Sequence, residues 1–309
     1  MRVAFCCSST KPGPWIEGLR NALPDAEVEV WEPGAAPADY AVVWAPPQQF
    51  LDEQPQLKAL FNIGAGVDAL LQLKLPAGVA IVRLDDAGMS VQMAEYVCHA
   101  VTRHFREFDA YDADIRQGQW SFRRPRNRAD FPVGVMGLGV LGQRVAQTLR
   151  QFEFAVHGWS RSPHLLNGVV CHHGGESFNR FLASCRVLVN LLPLTPETEN
   201  ILNRDTLARL QPGGYVINVA RGAHLVDDDL VVLLDSGHLA GATLDVFRTE
   251  PLPAGHVFWR HPKITITPHT SARTLRDESI AQIAGKIGAL AAGEPIDNLP
   301  GVVSREKGY

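Results

Sequence analysis

A glycine-rich turn near the middle of the chain constrains the fold more than any other feature. Residues 137–142, Gly-Leu-Gly-Val-Leu-Gly, follow an apolar run at 131–136 and precede a helical pattern. In that context the first glycine permits a tight turn and the second lets a pyrophosphate approach the backbone. The third lets the helix pack closely on the strand. The turn therefore predicts a βαβ unit that binds a dinucleotide. Its predicted cofactor residues are Gly137, Gly139, Leu141 and Gly142.

Short apolar runs alternate with longer amphipathic stretches along the 309 residues, which indicates an α/β fold with parallel sheets. The chain is longer than one hydrophobic core usually supports, so we expect two Rossmann-like domains. We assign residues 1–95 plus 277–309 to a discontinuous, flavodoxin-like substrate domain. Residues 96–276 form the dinucleotide-binding domain inserted in it. The chain would cross between the two domains twice, and these two crossings would make a hinge. The active site is expected in the cleft between the domains.

The apolar runs predict the strands, and the spacing of apolar residues predicts the helices. One long helix is expected from Ser90, a plausible N-cap, to about Trp120, because its apolar residues keep i, i+3, i+4 spacing. A last helix is expected near 277–292. Strands are expected at 2–7, 27–31, 40–45, 57–63, 80–84, 133–137, 155–160, 169–172, 187–192, 215–220, 242–246 and 264–267.

Composition narrows the functional classes. A hydrophobic content of 46% with 20% charged residues is typical of a soluble globular protein. The net charge of −4 predicts no basic face for nucleic acid. No apolar run approaches the ~18 residues of a membrane helix, and the N-terminus has no signal-peptide pattern. The five cysteines lack the spacing of a disulfide framework or a zinc site. We expect a cytoplasmic protein that binds no nucleic acid, membrane or metal.

The end of the second strand of the dinucleotide unit predicts which cofactor binds. An NAD-binding protein usually places Asp or Glu here for the ribose hydroxyls, and no acid is present. Ser160, Arg161 and Ser162 stand there instead, and an arginine flanked by hydroxyls suits a 2′-phosphate. NADP(H) is therefore preferred over NAD(H), which stays the alternative. The competing interpretation of Arg161 is an ordinary surface arginine.

Three charged or titratable residues follow three predicted strands: Arg221, Glu250 and His269. Ligands in open α/β sheets bind at the carboxyl ends of the strands. An arginine can clamp an anion, and a histidine with a carboxylate partner can protonate a developing alkoxide. Glu250 is the expected partner. Asp245 is the other candidate, but it lies earlier in its strand and is assigned to the nicotinamide amide. Each residue alone is more often structural; together with the glycine turn they predict a hydride-transfer site.

At this point the chain resembles the D-isomer-specific 2-hydroxyacid dehydrogenase family over essentially its whole length. The resemblance rests on the segments 137–142, 191–198, 218–222, 244–247, 250–252 and 267–269. Within the family it is most similar to the glyoxylate/hydroxypyruvate reductase A group. That likeness rests on 62–68, 88–96 and 159–162.

The resemblance implies roles for individual residues. Arg221 would bind a 2-oxo acid and polarise its carbonyl, and His269 would donate the proton with support from Glu250. Backbone N–H groups of Ala65, Gly66 and Val67 would hold the substrate carboxylate. The aromatic side chain of Trp44 would line the pocket. The nicotinamide ribose would lie along Leu192, Pro193, Val219 and Ala220.

The resemblance also implies an assembly and an activity. Relatives commonly dimerise through the region that corresponds to 90–120, so we expect a homodimer in which Trp120 reaches its neighbour. The expected function is NADPH-dependent reduction of a small anionic 2-oxo acid, glyoxylate to glycolate or hydroxypyruvate to D-glycerate. Three alternatives remain. They are a phosphoglycerate dehydrogenase-like enzyme, a formate dehydrogenase, and a non-catalytic dinucleotide-sensing corepressor.

Overall fold

The computed structural model describes residues 1–8 and 10–308, which form parallel strands and intervening helices. The strands are β1 Arg2–Cys7, β2 Glu27–Val30, β3 Tyr40–Trp44, β4 Ala59–Asn62, β5 Ala80–Arg83, β6 Val133–Met136, β7 Val156–Ser160, β8 Val169–His173, β9 Val187–Asn190, β10 Gly214–Asn218, β11 Leu239–Leu244 and β12 Ile264–Ile266. The helices are α1 Pro12–Ala22, α2 Gln48–Asp52, α3 Asp68–Leu71, α4 Met89–Phe105, α5 Phe108–Arg116, α6 Val140–Gln151, α7 Gly174–Ala183, α8 Arg204–Leu207, α9 Asp227–Asp235 and α10 Arg276–Ala291.

The chain divides into two compact units. The first combines Met1–Met89 with Arg273–Tyr309, and the second is Ser90–Ala272. Both divisions lie a few residues before the boundaries predicted from the sequence. The assignment of substrate binding to the first unit stays a prediction.

The first unit is built on a five-stranded parallel sheet in the order β2-β1-β3-β4-β5. This order is that of flavodoxin-like doubly wound folds. Its central strands are buried on both faces, because Phe5 and Phe61 pack in one apolar layer and Val43 and Leu60 in the other. Such double burial explains why these strands appear in the sequence as continuous apolar runs.

The second unit is built on a seven-stranded parallel sheet in the order β12-β11-β10-β9-β6-β7-β8. The chain runs outward from β6 in one direction through β7 and β8, and in the other from β9 to β12. The strand order therefore reverses beside β6, which makes a topological switch point where ligands of open sheets bind. The glycine turn follows β6 directly. The predicted fold class, two Rossmann-like domains with parallel sheets, is confirmed.

The single helix expected from Ser90 to about Trp120 is wrong. The structure has α4 and α5 instead, separated at Glu107, whose φ of 57° lies in the left-handed region. That conformation ends a helix even though the apolar spacing continues past it. Phe105, the last residue of α4, packs in the core, whereas Phe108 is exposed and α5 has no buried residue.

Several strands of the second unit end earlier than predicted. β9 stops at Asn190 and β10 at Asn218, two residues before the predicted ends in each case. The apolar residues that follow leave the sheet because their backbone turns into loops at its carboxyl edge. None of the helices in the described part of the chain is long and apolar enough to cross a membrane.

Candidate active site

The glycine turn has the geometry that a dinucleotide requires. Gly137 has a φ of +96°, and a Cβ on Gly142 would lie 1.8 Å from the carbonyl oxygen of Gly137. These two glycines are therefore needed for the turn and for close helix–strand packing. A Cβ on Gly139, the N-cap of α6, would meet nothing within 4 Å. Open space at this glycine, beside the N–H groups of the helix terminus, fits a pyrophosphate.

The end of β7 and the loop after it hold the three residues predicted to bind a 2′-phosphate. Ser160 is buried and its hydroxyl donates to the carbonyl oxygen of Ser162 at 2.8 Å, whereas Arg161 is exposed. His164, which the sequence reasoning missed, places Nδ1 3.0 Å from both the Ser160 hydroxyl and the Ser162 carbonyl. A carbonyl can only accept, so Nδ1 carries hydrogen. The imidazole thus ties the loop into one turn.

The charge of Arg161 reaches the loop that follows β9. The pKa of Glu197 is held below its ordinary value, chiefly by a hydrogen bond from Thr195 and also by the Arg161 guanidinium. The strands β7 and β9 lie on either side of β6. Arg161 and Glu197 therefore approach each other from loops that flank the glycine turn.

A buried polar network lies behind the loops after β9 and β10. The side-chain amide of Asn190 donates to Asn218 Oδ1 at 3.0 Å and contacts His224 Nδ1 at 2.9 Å. Because the amide is a donor, Nδ1 accepts, and His224 Nε2–H donates to the Pro193 carbonyl at 3.2 Å. Asn218 Nδ2 donates to the Arg221 carbonyl at 3.0 Å.

This network fixes the backbone of predicted cofactor and substrate residues, yet the sequence reasoning assigned it no role. Leu192, Val219 and Ala220 are buried, and the N–H groups of Leu192 and Ala220 each donate to an asparagine of the network. Asparagine at the last position of two neighbouring strands was the available signal, since a polar residue ending a buried strand must find a partner.

Arg221 begins a short 3-10 turn, and Gly222 sets what this turn contacts. A Cβ on Gly222 would lie 1.8 Å from the carbonyl carbon of Phe247, so only glycine permits this approach. The Phe247 N–H in turn donates to Glu250 Oε1 at 2.9 Å. Close packing of the two backbones therefore brings the arginine turn next to the loop that carries the carboxylate.

Glu250 and His269 form a hydrogen-bonded pair, with Glu250 Oε2 2.8 Å from His269 Nδ1. The carboxylate orients the ring and leaves Nε2 as the outward nitrogen, on a side chain that is 44% exposed. Burial acts to raise the pKa of Glu250. The hydrogen bonds from His269 and Phe247, together with the charges of His269 and Arg221, outweigh it and lower the pKa. The structure thus brings Arg221, Glu250 and His269 together in the second unit.

The Asp245 carboxylate is fully buried and holds the backbone that follows His269. It accepts the Thr270 N–H at 2.9 Å, the Ser271 N–H at 2.8 Å and the hydroxyl of Thr267. The backbone carbonyl of Asp245 accepts the His269 N–H at 2.8 Å. Asp245 is therefore not the partner of the imidazole. Its predicted contact with a nicotinamide amide stays a prediction.

The first unit holds the remaining predicted residues around one turn after β4. The Asn62 side chain donates to the carbonyls of Gly64 and Gly66, both at 2.9 Å. The Trp44 ring occupies the space where a Cβ on Gly64 would lie, 2.1 Å from Cζ3. Ala65 is half-buried, and the Val67 side chain is buried in the core. Any ligand contact of Val67 would therefore use its backbone.

Comparison with known proteins follows the same division of the chain. Residues 98–271 match the family model described as D-isomer specific 2-hydroxyacid dehydrogenase, NAD binding domain. The glyoxylate/hydroxypyruvate reductase A of Serratia proteamaculans is 50% identical over 287 residues, which cover 91% of this chain and 92% of that protein. The protein of the same name from Yersinia enterocolitica is 45% identical, and both chains are covered completely.

Two solved structures have the same fold over nearly the whole of both chains. The first is a D-isomer specific 2-hydroxyacid dehydrogenase from Xanthobacter autotrophicus in complex with NADPH and MES. It is 39% identical, with a TM-score of 0.94, and 100% of this chain and 99% of that chain are covered. The second is the NADPH-dependent glyoxylate/hydroxypyruvate reductase of Sinorhizobium meliloti in complex with NADP and sulfate. It is 35% identical, with a TM-score of 0.92 and the same coverage.

Proposed function

Because this chain belongs to the D-isomer specific 2-hydroxyacid dehydrogenase family, we propose that it is an NADPH-dependent reductase of small 2-oxo acids. The proposed reactions are glyoxylate to glycolate and hydroxypyruvate to D-glycerate. The observation that carries the proposal is the 2.8 Å pair of Glu250 and His269 beside Arg221. Relatives at 45% and 50% identity bear the name of this activity.

NADP(H) is the cofactor that this chain's residues fit. The open space at Gly139 accommodates a pyrophosphate, and Ser160, Arg161 and Ser162 offer one charge and short polar side chains to a 2′-phosphate. The prediction of NADP(H) is confirmed by the NADPH and NADP held in the two structural relatives. Individual cofactor contacts, including Leu141, Pro193 and Asp245, remain proposals. When bound, the reduced cofactor supplies the hydride that goes to the keto carbon.

His269 is proposed to donate the proton that the reaction consumes. In the imidazolium form Nδ1–H is bonded to Glu250 and Nε2–H points outward, so Nε2 can protonate the carbonyl oxygen as it gains charge. After transfer the neutral ring keeps Nδ1–H and its bond to Glu250. The lowered pKa of Glu250 keeps the carboxylate ionised throughout. Tautomer and orientation are thus held by one partner during the whole step.

Arg221 and the turn after β4 are proposed to recognise the substrate. The Arg221 guanidinium already donates to its neighbouring Ala220 carbonyl at 2.7 Å, which directs its remaining donors. A guanidinium fork suits the carboxylate and carbonyl oxygens of a 2-oxo acid. In the first unit, N–H groups of Ala65, Gly66 and Val67 are proposed to bind the carboxylate, with Trp44 beside them.

Two copies are proposed to associate through the segment 108–122. Ile115 is 70% exposed and Phe122 is 85% exposed, and Trp120 is fully exposed. Large apolar side chains exposed within one short segment favour burial against a partner. Sedimentation velocity should show a dimer, and combined substitution of Trp120 and Phe122 by serine should give a monomer. A monomeric unmodified protein would contradict the proposal.

The test of function is steady-state oxidation of NADPH and NADH against glyoxylate, hydroxypyruvate, pyruvate and bulkier 2-oxo acids. Rapid NADPH-selective turnover of the two small polar acids is expected. A preparation of His269→Gln serves as the control for contaminating reductases and should be nearly inactive. Turnover of only the bulky acids would keep the chemistry and reject the substrates. Tight NADP(H) binding without any turnover would identify a dinucleotide sensor instead.

A further inference from the structure

The backbone of the proposed proton donor is held in an unfavourable conformation. His269 has a φ of 52°, in the left-handed region that costs a non-glycine residue about 1 kcal/mol. Its side chain is 44% exposed, so packing around the ring does not enforce that conformation. The local hydrogen bonds of the turn must therefore stabilise it.

These hydrogen bonds converge on Asp245. The His269 N–H donates to the Asp245 main-chain carbonyl, and the next two N–H groups donate to the Asp245 carboxylate at 2.9 and 2.8 Å. One buried residue thus binds three successive peptide groups. A carboxylate that moved or rotated would release the turn and with it the direction of the imidazole.

The carboxylate is in turn oriented by a directed chain of hydroxyls. Asp245 Oδ1 is bonded to Thr267 Oγ1, and Thr267 Oγ1 lies 2.6 Å from the hydroxyl of Tyr96 on α4. An ionised carboxylate only accepts, so Thr267 donates to Asp245 and its oxygen accepts from Tyr96. Burial raises the pKa of Tyr96 to about 12, which keeps its hydroxyl protonated and able to donate.

We propose that Tyr96 is a positioning residue for proton transfer: through Thr267 and Asp245 it sets the orientation of the His269 turn. The proposal rests on the proposed role of His269 as proton donor. Among the described residues Tyr96 makes no hydrogen bond to Glu250 or to the imidazole, so its effect must travel through its hydrogen bond to Thr267 and from there through Asp245 to the turn.

The second unit supplies a matched control. Tyr215 is also buried, its hydroxyl lies 2.7 Å from Thr243 Oγ1, and burial likewise raises its pKa to about 12. Thr243 lies within β11, and the Tyr215 hydroxyl is also hydrogen-bonded to Thr265 in β12, whereas the Asp245 carboxylate is bound by Thr267, Thr270 and Ser271. Tyr96→Phe and Tyr215→Phe both remove a buried tyrosine hydroxyl that is bonded to threonine, but only the first removes a hydrogen bond to the threonine that binds the Asp245 carboxylate.

The kinetic test compares these two variants. Tyr96→Phe should lower kcat about tenfold, as the loss of one directing hydrogen bond predicts, with KM for NADPH changed by less than about twofold. The solvent isotope effect on kcat should rise, because a misdirected His269 slows the proton-transfer step. Both variants should lower the melting temperature by a similar amount, because each loses a buried hydrogen bond. Tyr215→Phe should nevertheless leave kcat and the isotope effect unchanged. Equal kcat values for the two variants would overturn the proposal.

A double-mutant cycle tests the route through Thr267. Thr267→Val removes the intervening hydroxyl, and Thr267→Ser restores it without the methyl group. We expect Thr267→Ser to keep nearly normal kcat and Thr267→Val to lose at least as much as Tyr96→Phe. Adding Tyr96→Phe to Thr267→Val should cause no further loss, because the chain is already broken. Additive losses would show that the two residues act independently.

A readout without substrate separates this proposal from the proposed function. In ¹⁵N-histidine-labelled protein at one pH, the imidazole resonances of His269, assigned with His269→Gln, should move in Tyr96→Phe and stay in place in Tyr215→Phe. Unmoved resonances in Tyr96→Phe would overturn the positioning role even if the enzyme is active. If the resonances move but the protein reduces no 2-oxo acid, the positioning role of Tyr96 stands and the proposed function is rejected.

Discussion

The two ends of the seven-stranded sheet each hold a histidine next to charged residues, in opposite surroundings. At the carboxyl end, His269 is half-exposed and its Nδ1 lies 2.8 Å from the Glu250 carboxylate. At the amino end, His104 is half-buried, its Nε2 is shielded from solvent, and its ring stacks on Tyr215, at the start of β10, with ring centroids 4.1 Å apart. Among the described residues, no partner binds His104 Nε2.

The neighbouring charges make the difference larger. His269 faces a carboxylate whose own pKa is lowered, whereas His104 lies near the guanidinium groups of Arg126 and Arg186. Burial lowers the pKa of His104 to about 4, and these two charges add to the effect. The presence of a histidine therefore does not by itself indicate a proton donor. Solvent and the sign of the nearest charge determine whether a histidine can hold a proton to donate.

Substitution of the two histidines should show the largest contrast. His269→Ala removes the proposed proton donor and should lower kcat by about 10²–10⁴-fold, the usual contribution of a general acid. His104→Phe, which keeps an aromatic ring against Tyr215, should leave kcat nearly unchanged. Steady-state kinetics with NADPH and glyoxylate would measure both, with NADPH affinity as the check on folding. Near-normal turnover by His269→Ala would remove it from the mechanism.

Substitution of Arg221 tests whether the carboxyl end recognises an anion. Arg221→Ala should lower kcat/KM for glyoxylate by about 10²-fold, because a charge-assisted hydrogen bond to the substrate is lost. Arg221→Lys keeps the charge but not the fork and should recover only part of that loss. The measurement is kcat/KM for glyoxylate at saturating NADPH in the unmodified protein and in the two variants. An unchanged value in Arg221→Ala would refute the role.

Two arginines at opposite ends of the sheet test the cofactor preference. Arg161→Ala should weaken NADPH binding about 10-fold or more while NADH changes little, since only NADPH carries the 2′-phosphate. Arg186, whose guanidinium lies 4.4 Å from the Phe131 ring centroid, is the control at the amino end. Arg186→Ala should leave the NADPH/NADH ratio of dissociation constants unchanged. Fluorescence titration gives both constants, and equal losses for the two cofactors in Arg161→Ala would exclude a phosphate contact.

Acid unfolding tests the same contrast through the stability of the folded protein. His104 has a pKa of about 4 in the folded protein against an ordinary 6.5, so the unfolded chain binds more protons between these values. Stability should therefore fall as pH drops from about 6.5 to about 4, by on the order of 3 kcal/mol from this residue. In His104→Phe that part of the decline should be absent. Urea unfolding at several pH values would measure the free energy of unfolding of the unmodified protein and of His104→Phe. Parallel declines in the two proteins would contradict the lowered pKa of His104.

Most of the fold was predictable because the central strands are buried on both faces. Residues 187–190 and 214–218 are continuous buried runs, and the glycine turn follows another such run, β6. This combination is typical of parallel α/β sheets. The break between α4 and α5 was not predictable from periodicity. The apolar spacing continues through Glu107, while its left-handed backbone redirects the chain.

The candidate site was predictable as a set of residues and not as a set of bonds. Motif context pointed to Arg221, Glu250 and His269, because parallel strands bring their carboxyl ends to one edge. The network of Asn190, Asn218 and His224 and the ring of His164 were missed. Each depends on contacts between residues far apart in the chain or on a turn whose path is set by its neighbours.

By itself the sequence determined the architecture, the dinucleotide turn and the residue types available for hydride transfer. These follow from local rules: burial, strand and helix periodicity, and the small size of glycine at close approaches. Only the tertiary structure decided that Glu250 and not Asp245 pairs with His269, and that Asp245 holds the turn. Both carboxylates follow the same strand region, and their roles differ because long-range packing buries one and leaves the other beside the imidazole.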